Sequence, residues 1–481
     1  MASICCSPLL NVPALCFCLS LSTGNRLNTW QTRGPLKSGL ENTPVLCISP
    51  VPGSPASGSA LECHPPSPTV CRYSCIQCHF VQLYFYMVSD LVARRFWIER
   101  IGKAWQRRSV VWLSGVRRVG KTCLCLTLGD IEYFDCELPR VRRMLEDPES
   151  FWEGMHGKRV VLDEVHRLPN PSEVLKIAAD HFPGVKILAT GSSTLGASAR
   201  FKDTLSGRKA EVWLTPMILC DLKDFGQADL KYRLLRGGLP PFFLSGEYPE
   251  QDFQEWMDAF WAKDIQELFR LGKRYSFLRF VELLLMQSGG IFEATRFAGP
   301  CEASRTTIAN YLEVLQSAHV AHVLRPFSTY RSSEIISAPK VYAFDTGFVC
   351  YYRGLSTLRP DDLGLLWEHL VLNEIQACFQ MHHVHYWRDK RGHEVDFVLI
   401  FRGISPIAIE CKWSANDLDC KNLLAFSRRY PEAVFFVVAA DVKQAFSRKY
   451  KGISIKFLNL PQLIEELDDR RPQGVPGQYV S

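Results

Sequence analysis

A lysine and a threonine behind a glycine carry the first recognisable chemistry. In SVVWLSGVRRVGKTCLCL, Gly115 is followed by four residues and then by Gly120-Lys121-Thr122. An apolar β-type run precedes this loop and an apolar helical run follows it, the context that a phosphate-binding loop requires. Glycines let the backbone wrap phosphates, so that N–H groups and a helix N-terminus face the negative charge. Lys121 then reaches the β- and γ-phosphates, and the Thr122 hydroxyl binds Mg²⁺. Downstream, RVVLDEVHRLP presents Asp163 and Glu164 where a buried parallel strand ends. Asp163 is placed to hold Mg²⁺ through water and Glu164 to polarise the attacking water, because phosphoryl transfer relies on positioning and charge. The predicted ligands are ATP and Mg²⁺. No NKxD guanine-reading motif follows, which favours ATP over GTP.

Two further strands are expected beside these motifs, IEYFDCE (131–137) and KILATGSS (186–193). The second ends in Thr190, Ser192 and Ser193. These hydroxyls either sense a γ-phosphate or form a turn and a helix cap, positions that Ser and Thr also favour. In TLSGRKAEVWLTPM, Arg208 sits on a short loop before a strand. It is either an arginine finger for a neighbouring subunit's nucleotide or part of a solvated basic loop.

A second group of ionisable residues lies in EVDFVLIFRGISPIAIECK. Strand alternation puts Glu394, Asp396 and Val398 on one face, and Ala408, Glu410 and Lys412 on one face of the next strand. Upstream, Glu368 falls in the middle of the apolar face of a helix, where a carboxylate has to be paired, metal-bound or neutral. Glu374 lies on the flank of that face. A helix acid, a strand acid and Glu-x-Lys in this order resemble the PD-(D/E)xK, restriction-endonuclease-like nucleases. That resemblance implies Mg²⁺ on Asp396 and Glu410 with Glu368 nearby, and Lys412 acting on the attacking water. The same residues also suit a salt-bridge cluster in an inactive domain.

GVRRVGKT, VVLDEVHRLP, ILATGSS, LSGR and RGGLP occur in the order seen in prokaryotic AAA-type ATPases with a poorly characterised C-terminal domain, which the chain resembles from about residue 95 to 470. The resemblance implies an AAA+ fold, assigns Lys121, Thr122, Asp163 and Glu164 their ATP roles, and matches Asp264, a residue that also suits a plain ion pair. It is compatible with a homo-oligomer without fixing one.

These residues need elements to hold them. The fold class expected is α/β: a three-layer αβα P-loop AAA+ domain (87–235), a helical middle region with a winged helix (236–335), and a restriction-endonuclease-like α/β domain (336–470). RGGLPPFFL (236–244) is a tight turn and a candidate hinge through which ATP repositions the later domains. In FEATRFAGPCEASRTTIANYLEVLQSAHVAHVLRPFS, Ser304 caps a helix whose apolar stripe is Ile308, Tyr311, Leu312 and Leu315. If that element meets DNA, Arg305, Thr306 and Asn310 face the groove.

Composition agrees with such an assembly. Hydrophobic residues make up 47% and charged residues 22%, enough to bury substantial cores, while a net charge of +6 permits nucleic-acid partners, DNA or RNA, without requiring them. Nine cysteines after residue 120 stand without a paired spacing, as in a reduced cytoplasmic protein. No apolar run after residue 87 is long enough to cross a membrane. Residues 1–86 differ from the rest in being rich in Cys, Pro and Ser, and read as a disordered or misassigned leader before Met87. Within them Cys75, Cys78 and His79 match a c-type haem attachment pattern, but no exported domain surrounds them. Residues 471–481 read as a disordered tail. The alternative to a nuclease-bearing ATPase is an ATP-gated binding or signalling module that recognises a protein partner.

Overall fold

The computed structural model describes residues 91–191, 199–266, 273–329, 338–380 and 384–471. The leader, residues 472–481 of the tail, Ser192 and Ser193 lie outside these residues.

Five parallel strands form the first sheet: β1 (Val110–Ser114), β2 (Glu132–Asp135), β3 (Arg159–Asp163), β4 (Lys186–Thr190) and β5 (Lys209–Trp213), in the order β2-β3-β4-β1-β5. Alternate residues face opposite sides, as the two-residue strand period dictates. Val111, Leu113, Val161 and Leu188 join one core with Trp97 and Ile101 of the helix Arg95–Arg107. Val110, Trp112, Val160, Leu162 and Ile187 join another with Leu175 and Ala178 of the helix Pro171–His181. Helices therefore cover both faces, and the apolar runs have no solvent side to alternate against. Because β4 lies between β1 and β3, the end of β4 falls between the loop after β1 and the acids after β3.

The middle region contains the helix Arg274–Met286, β6 (Gly290–Ile291), the helices Ala294–Ala298 and Arg305–Ser317, β7 (Ala321–Leu324) and β8 (Lys340–Ala343). The three strands form an antiparallel sheet in the order β6-β8-β7. Ser304 Oγ accepts from Thr307 N at 3.1 Å and caps its helix, and Ile308, Tyr311, Leu312 and Leu315 are buried on one stripe. The segment APKVYAFDTGF, grouped by sequence with the C-terminal domain, belongs here. Its strand β8 pairs with β7 along its whole length, a long-range pairing that no local pattern reveals.

The C-terminal region opens with the helix Pro360–Phe379. β9 (His385–Arg388), β10 (Glu394–Leu399), β11 (Ile407–Lys412), the helix Lys421–Arg429, β12 (Val434–Ala439), β13 (Phe446–Tyr450), β14 (Ile453–Leu458) and the helix Leu460–Arg470 follow. The sheet order is β13-β14-β12-β11-β10-β9, with β10 antiparallel to both its neighbours and β11, β12 and β14 mutually parallel. The β9–β10 hairpin carries a register shift between Val395 and Val398. Val395 and Val398 consequently share one core, so the expected common face of Glu394, Asp396 and Val398 is not formed. A bulge of this kind re-aims a side chain, here Asp396.

The three regions are joined by buried polar contacts. Gly238 N donates to Asp345 Oδ2 at 2.6 Å, and Met217 N donates to Gly238 O at 2.7 Å. Arg233, 1% exposed, donates to Met217 O and to Thr346 Oγ1. A Cβ on Gly237 would lie 2.0 Å from Asp345 Oδ1. RGGLPPFFL is thus a packed corner, which leaves its glycines no room to act as the expected hinge. Gln380 closes the edge of β5 by accepting from Trp213 N at 2.6 Å and donating to Trp213 O at 3.1 Å.

Ser288 Oγ lies 2.6 Å from His369 Nε2, whose Nδ1 faces Leu365 O at 2.8 Å, so Nδ1 carries the proton and the ring is neutral. Burial pulls the imidazole down to about 4. A histidine depressed in the fold contributes stability that is complete above its unfolded value near 6.5 and is lost as pH falls towards 4. The histidine's own contribution to the unfolding free energy falls across that window by up to about 3 kcal/mol, opposite in sign to the raised carboxyls of Glu374, Asp396 and Glu410, so it is read as the difference between the wild type and His369→Gln. His369→Gln should flatten that part of the profile; an unchanged slope would exclude the histidine as its source.

Candidate functional site

The loop after β1 closes over a cavity of about 450 Å³, of a size that suits a small organic ligand. Gly115 (φ 152°) and Gly120 (φ 96°) take up left-handed or extended backbone that brings the loop round, and a Cβ on Gly115 would meet Leu214 O at 2.5 Å. Lys121 Nζ donates to Gly115 O at 2.9 Å and Val116 O at 3.3 Å, inside the curl that phosphates would fill. Burial pulls its ammonium down, against the charges of Glu164, Asp264 and Asp163.

Asp163 is the hub. Its Oδ2 accepts from Thr122 Oγ1 at 2.7 Å and from Tyr133 Oη at 2.7 Å, and its Oδ1 accepts from Thr190 Oγ1. Thr190 Oγ1 in turn accepts from Glu164 N at 3.1 Å. Glu164 is held at φ 55°, a left-handed conformation that a non-glycine residue adopts at a cost and that turns its side chain into the cavity. Burial pushes its carboxyl up, but the adjacent His166 and Lys121 outweigh that and hold it below the usual range; His166 Nδ1 is 3.0 Å away. Gly115, Gly120, Lys121, Thr122, Asp163, Glu164 and Thr190 are therefore gathered at the carboxyl ends of β1, β3 and β4.

Arg208 is not among them. It precedes β5, at the amino end of that parallel strand and so away from the carboxyl ends, where its Nε donates to Asp180 Oδ1 at 2.6 Å.

Several contributors were not legible as such in the sequence. Arg94, 3% exposed, donates to the loop carbonyl of Val119 at 3.0 Å and to Asp221 Oδ2 at 2.6 Å. Asp264, by contrast, was singled out by the family resemblance and as a candidate for a plain ion pair; it lies on a π-helical turn and accepts from Arg117 Nε at 2.9 Å, which ties the phosphate loop to the helical region. Pro240, Pro241, Leu244 and Phe225 give the cavity an apolar side. For this apolar side the sequence signal was the double proline of RGGLPP, and it pointed to a turn. Tyr133 orients a carboxylate that would hold Mg²⁺, and loss of such a supporting hydrogen bond weakens metal use. Tyr133→Phe is expected to raise the Mg²⁺ concentration for half-maximal ATP turnover about 10-fold at nearly unchanged thermal stability; an unmoved Mg²⁺ dependence would limit the tyrosine to packing.

The C-terminal residues form a second polar cluster. Glu368 Oε1 accepts from Lys340 Nζ at 2.8 Å and from Tyr342 Oη. Lys340 Nζ also donates to Glu394 Oε1 at 2.8 Å. On β11, Lys412 Nζ donates to Glu410 Oε1 at 2.8 Å, and the Glu410 carboxyl is buried. Asp396 Oδ2 accepts from Cys411 N at 2.8 Å. Burial and the charge of Glu368 push the Asp396 carboxyl up to about 7; burial and Asp396 push Glu410 up to about 8. Despite this crowding, no group of three or more His, Cys, Asp or Glu among the described residues is arranged to hold a metal ion. The expected Mg²⁺ ligand set of Glu368, Asp396 and Glu410 is thus not assembled, because the helix acid is turned to Lys340 and the strand acid Glu410 to Lys412. Glu374 leaves the cluster altogether: its Oε2 accepts from Leu219 N at 3.1 Å, and burial pushes its carboxyl up to about 7.

Residues 107–222 match an AAA domain, and the next two regions match domains of unknown function, DUF8612 at 227–359 and DUF4143 at 363–463. The chain therefore carries an AAA-type, ATP-binding domain of P-loop architecture. Uncharacterized proteins of Mycobacterium bovis and Mycobacterium tuberculosis are each 29% identical to it over 334 residues, 67% of this chain and 74% of theirs. Among solved structures, a Walker-type ATPase of Pyrococcus abyssi aligns at 16% identity and a TM-score of 0.39, over 55% of this chain and 97% of that one. The Hsp104–ADP complex of S. cerevisiae aligns at 14% identity and a TM-score of 0.25, over 47% of this chain and 39% of that one. No helix among the described residues is long and apolar enough to cross a membrane.

Proposed function

We propose that the chain hydrolyses ATP with Mg²⁺ and that nucleotide state governs what its C-terminal domain presents to a partner. The observation that carries this reading is the gathering of Lys121, Thr122, Asp163 and Glu164 around one cavity at the carboxyl ends of a parallel sheet. The residues fit Mg²⁺: the Thr122 hydroxyl and the Asp163 carboxylate already meet at 2.7 Å, and together they would hold it. The bound ion would neutralise charge on the phosphates. Lys121 grips the phosphate chain, Glu164 orients and polarises the attacking water, and Thr190 fixes both acids. Arg208, facing away from its own cavity, serves a neighbouring copy in a homo-oligomer, in the cytoplasm.

The middle elements run helix, strand, helix, helix, strand, strand, which supports a winged helix that would turn Arg305, Thr306 and Asn310 towards DNA. In the C-terminal domain a helix, three strands, a helix and a further strand, with Asp396 and Glu410 on adjacent strands, support a restriction-endonuclease-like fold. Mg²⁺ does not fit the acids there as they are placed, so no metal-dependent cleavage is derived from them. The pairing of Lys340 with Glu368 and Glu394 favours the second reading, an ATP-gated recognition module with an inactive nuclease-like domain.

The test combines phosphate release by the full chain with its incubation, with Mg²⁺ and ATP, on single- and double-stranded DNA and RNA. Absence of phosphate release in the wild type would sink the ATPase reading. Strand cleavage that disappears in Asp396→Asn or Lys412→Ala would establish the nuclease. Retention without cleavage supports recognition of nucleic acid, and neither outcome points to a protein partner.

A further inference from the structure

Two of the sheet edges in this chain are closed by segments from elsewhere. Gln380 caps β5 through both backbone groups of Trp213. The middle region covers β9: Pro326 forms a parallel bridge with Tyr386, and Tyr386 N donates to Arg325 O at 3.2 Å. At the other end of the same C-terminal sheet, β13 pairs with β14 on one side and with no strand on the other among the described residues. Five residue pairs run in unbroken register from Phe446 opposite Phe457 to Tyr450 opposite Ile453, and β13 contains no proline. The two-residue turn Lys451-Gly452, with φ of 45° and 94°, decides which backbone groups are free. In such a hairpin the residues flanking the turn exchange both hydrogen bonds, and bonded and non-bonded pairs then alternate. Tyr450, Arg448 and Phe446 therefore bond to β14, while Ser447 and Lys449 turn their N–H and C=O groups outward. The charge along this edge has one sign. Arg448 lies over the Phe446 and Phe457 rings, 4.9 and 5.5 Å from their centroids, which holds its guanidinium along one face. Lys449 projects from the other face. Arg448, Lys449 and Lys451 are exposed, and form no ion pair among the described residues.

We propose that β13 takes an extended acidic segment of another protein as a seventh strand of this sheet, through backbone pairing at Ser447 and Lys449 and charge pairing with Arg448 and Lys449. The proposal rests on the recognition reading of the C-terminal domain and names the chemistry of its partner. Cations on an edge strand guard it against a copy of itself, because two such strands set like charges opposite each other. The same charges exclude a second copy of this chain as the occupant and favour a strand that carries carboxylates, for which each opposed pair is attractive. Residues 1–86 carry two carboxylates, Glu41 and Glu62, and residues 472–481 carry none, so neither segment supplies such a strand. A peptide satisfies both features of the edge. A nucleic acid would meet the cations with its phosphates, but it has no regular row of N–H donors for the outward carbonyls of Ser447 and Lys449.

Fluorescence anisotropy of a short labelled peptide of alternating Glu and Thr, titrated with the nucleotide-free full chain, tests this. The wild type is expected to bind it about 10-fold more tightly than Lys449→Glu does, and Lys449→Glu to prefer the Lys-Thr counterpart. The same Glu-Thr peptide methylated on its backbone nitrogens keeps its charges but loses its donors, and should bind the wild type about 10-fold more weakly. Ser447→Pro removes one outward N–H without touching the ladder to β14, so it should weaken capture at nearly unchanged Tm. Equal binding of the plain and methylated peptides would overturn the proposal, since charge alone would then explain the contact. Absence of binding by the wild type would overturn it too, as would tighter binding of a single-stranded DNA oligonucleotide that Lys449→Glu abolishes. The recognition reading fails on a different result, strand cleavage that depends on Asp396 and Lys412, whose strands β10 and β11 are separated from β13 by β12 and β14. The ATPase reading is judged by phosphate release alone.

Discussion

Glu164→Gln is expected to lower ATP turnover by about 10²- to 10⁴-fold while leaving ATP binding intact. The amide keeps the shape of the side chain and the backbone hydrogen bond from Glu164 N to Thr190 Oγ1, so the left-handed turn at the end of β3 survives. What it loses is the negative charge that Lys121 and His166 now stabilise and that an attacking water needs beside it. Lys121→Ala is the complementary variant. It removes the cation from the phosphate curl, so nucleotide binding itself should fall. Steady-state phosphate release and equilibrium binding of a fluorescent ATP analogue separate the two effects. Wild-type turnover in Glu164→Gln would remove that residue from the chemistry and turn attention to His166 or to a residue from a neighbouring copy.

The second large effect is structural. Arg233→Met is expected to destabilise the folded chain by about 3–5 kcal/mol, the usual consequence of removing one partner from a buried ion pair. Arg233 and Asp345 are each 1% exposed in their side chains and stand 3.9 Å apart. Without the guanidinium, Asp345 keeps its bonds from Gly238 N and Gly347 N but loses the positive charge that opposes its desolvation. Met217 O loses two donors as well. The damage reaches the nucleotide because Gly238 leads directly into Pro240 and Pro241, which wall the cavity. Denaturant unfolding and nucleotide affinity should therefore change together. A variant with wild-type stability would show that the corner is held by packing alone.

This corner is also where local reading and structure part. Gly237-Gly238 followed by two prolines has the composition of a turn, and a turn between domains reads as a hinge. Whether a glycine pair swings or is clamped depends on what approaches it from elsewhere in the chain. Here Asp345 arrives from more than one hundred residues away. Tyr133 poses the same difficulty: on a strand it reads as an ordinary half-buried aromatic, and only the adjacency of β2 and β3 turns its hydroxyl onto Asp163.

The sequence by itself determined the chemistry that is contained in short segments. Glycine spacing, a lysine and threonine at a helix start, and an apolar strand ending in two acids are each local, so Gly115, Gly120, Lys121, Thr122, Asp163 and Glu164 were legible before any fold was known. The capped helix after Ser304 and its apolar stripe were legible for the same reason, since both depend on the helical period. Tertiary structure alone decided the partners across long separations. It placed β8 with β7 and left Arg208 at the amino end of β5, away from the cavity at the carboxyl ends. It broke the alternation of β10 at a bulge and inserted Lys340 between Glu368 and Glu394. In each case the physical reason is the same: a buried charge or an unpaired strand edge takes whatever partner the packing of the whole chain brings within reach, and the identity of that partner is not encoded within reach of the residue itself.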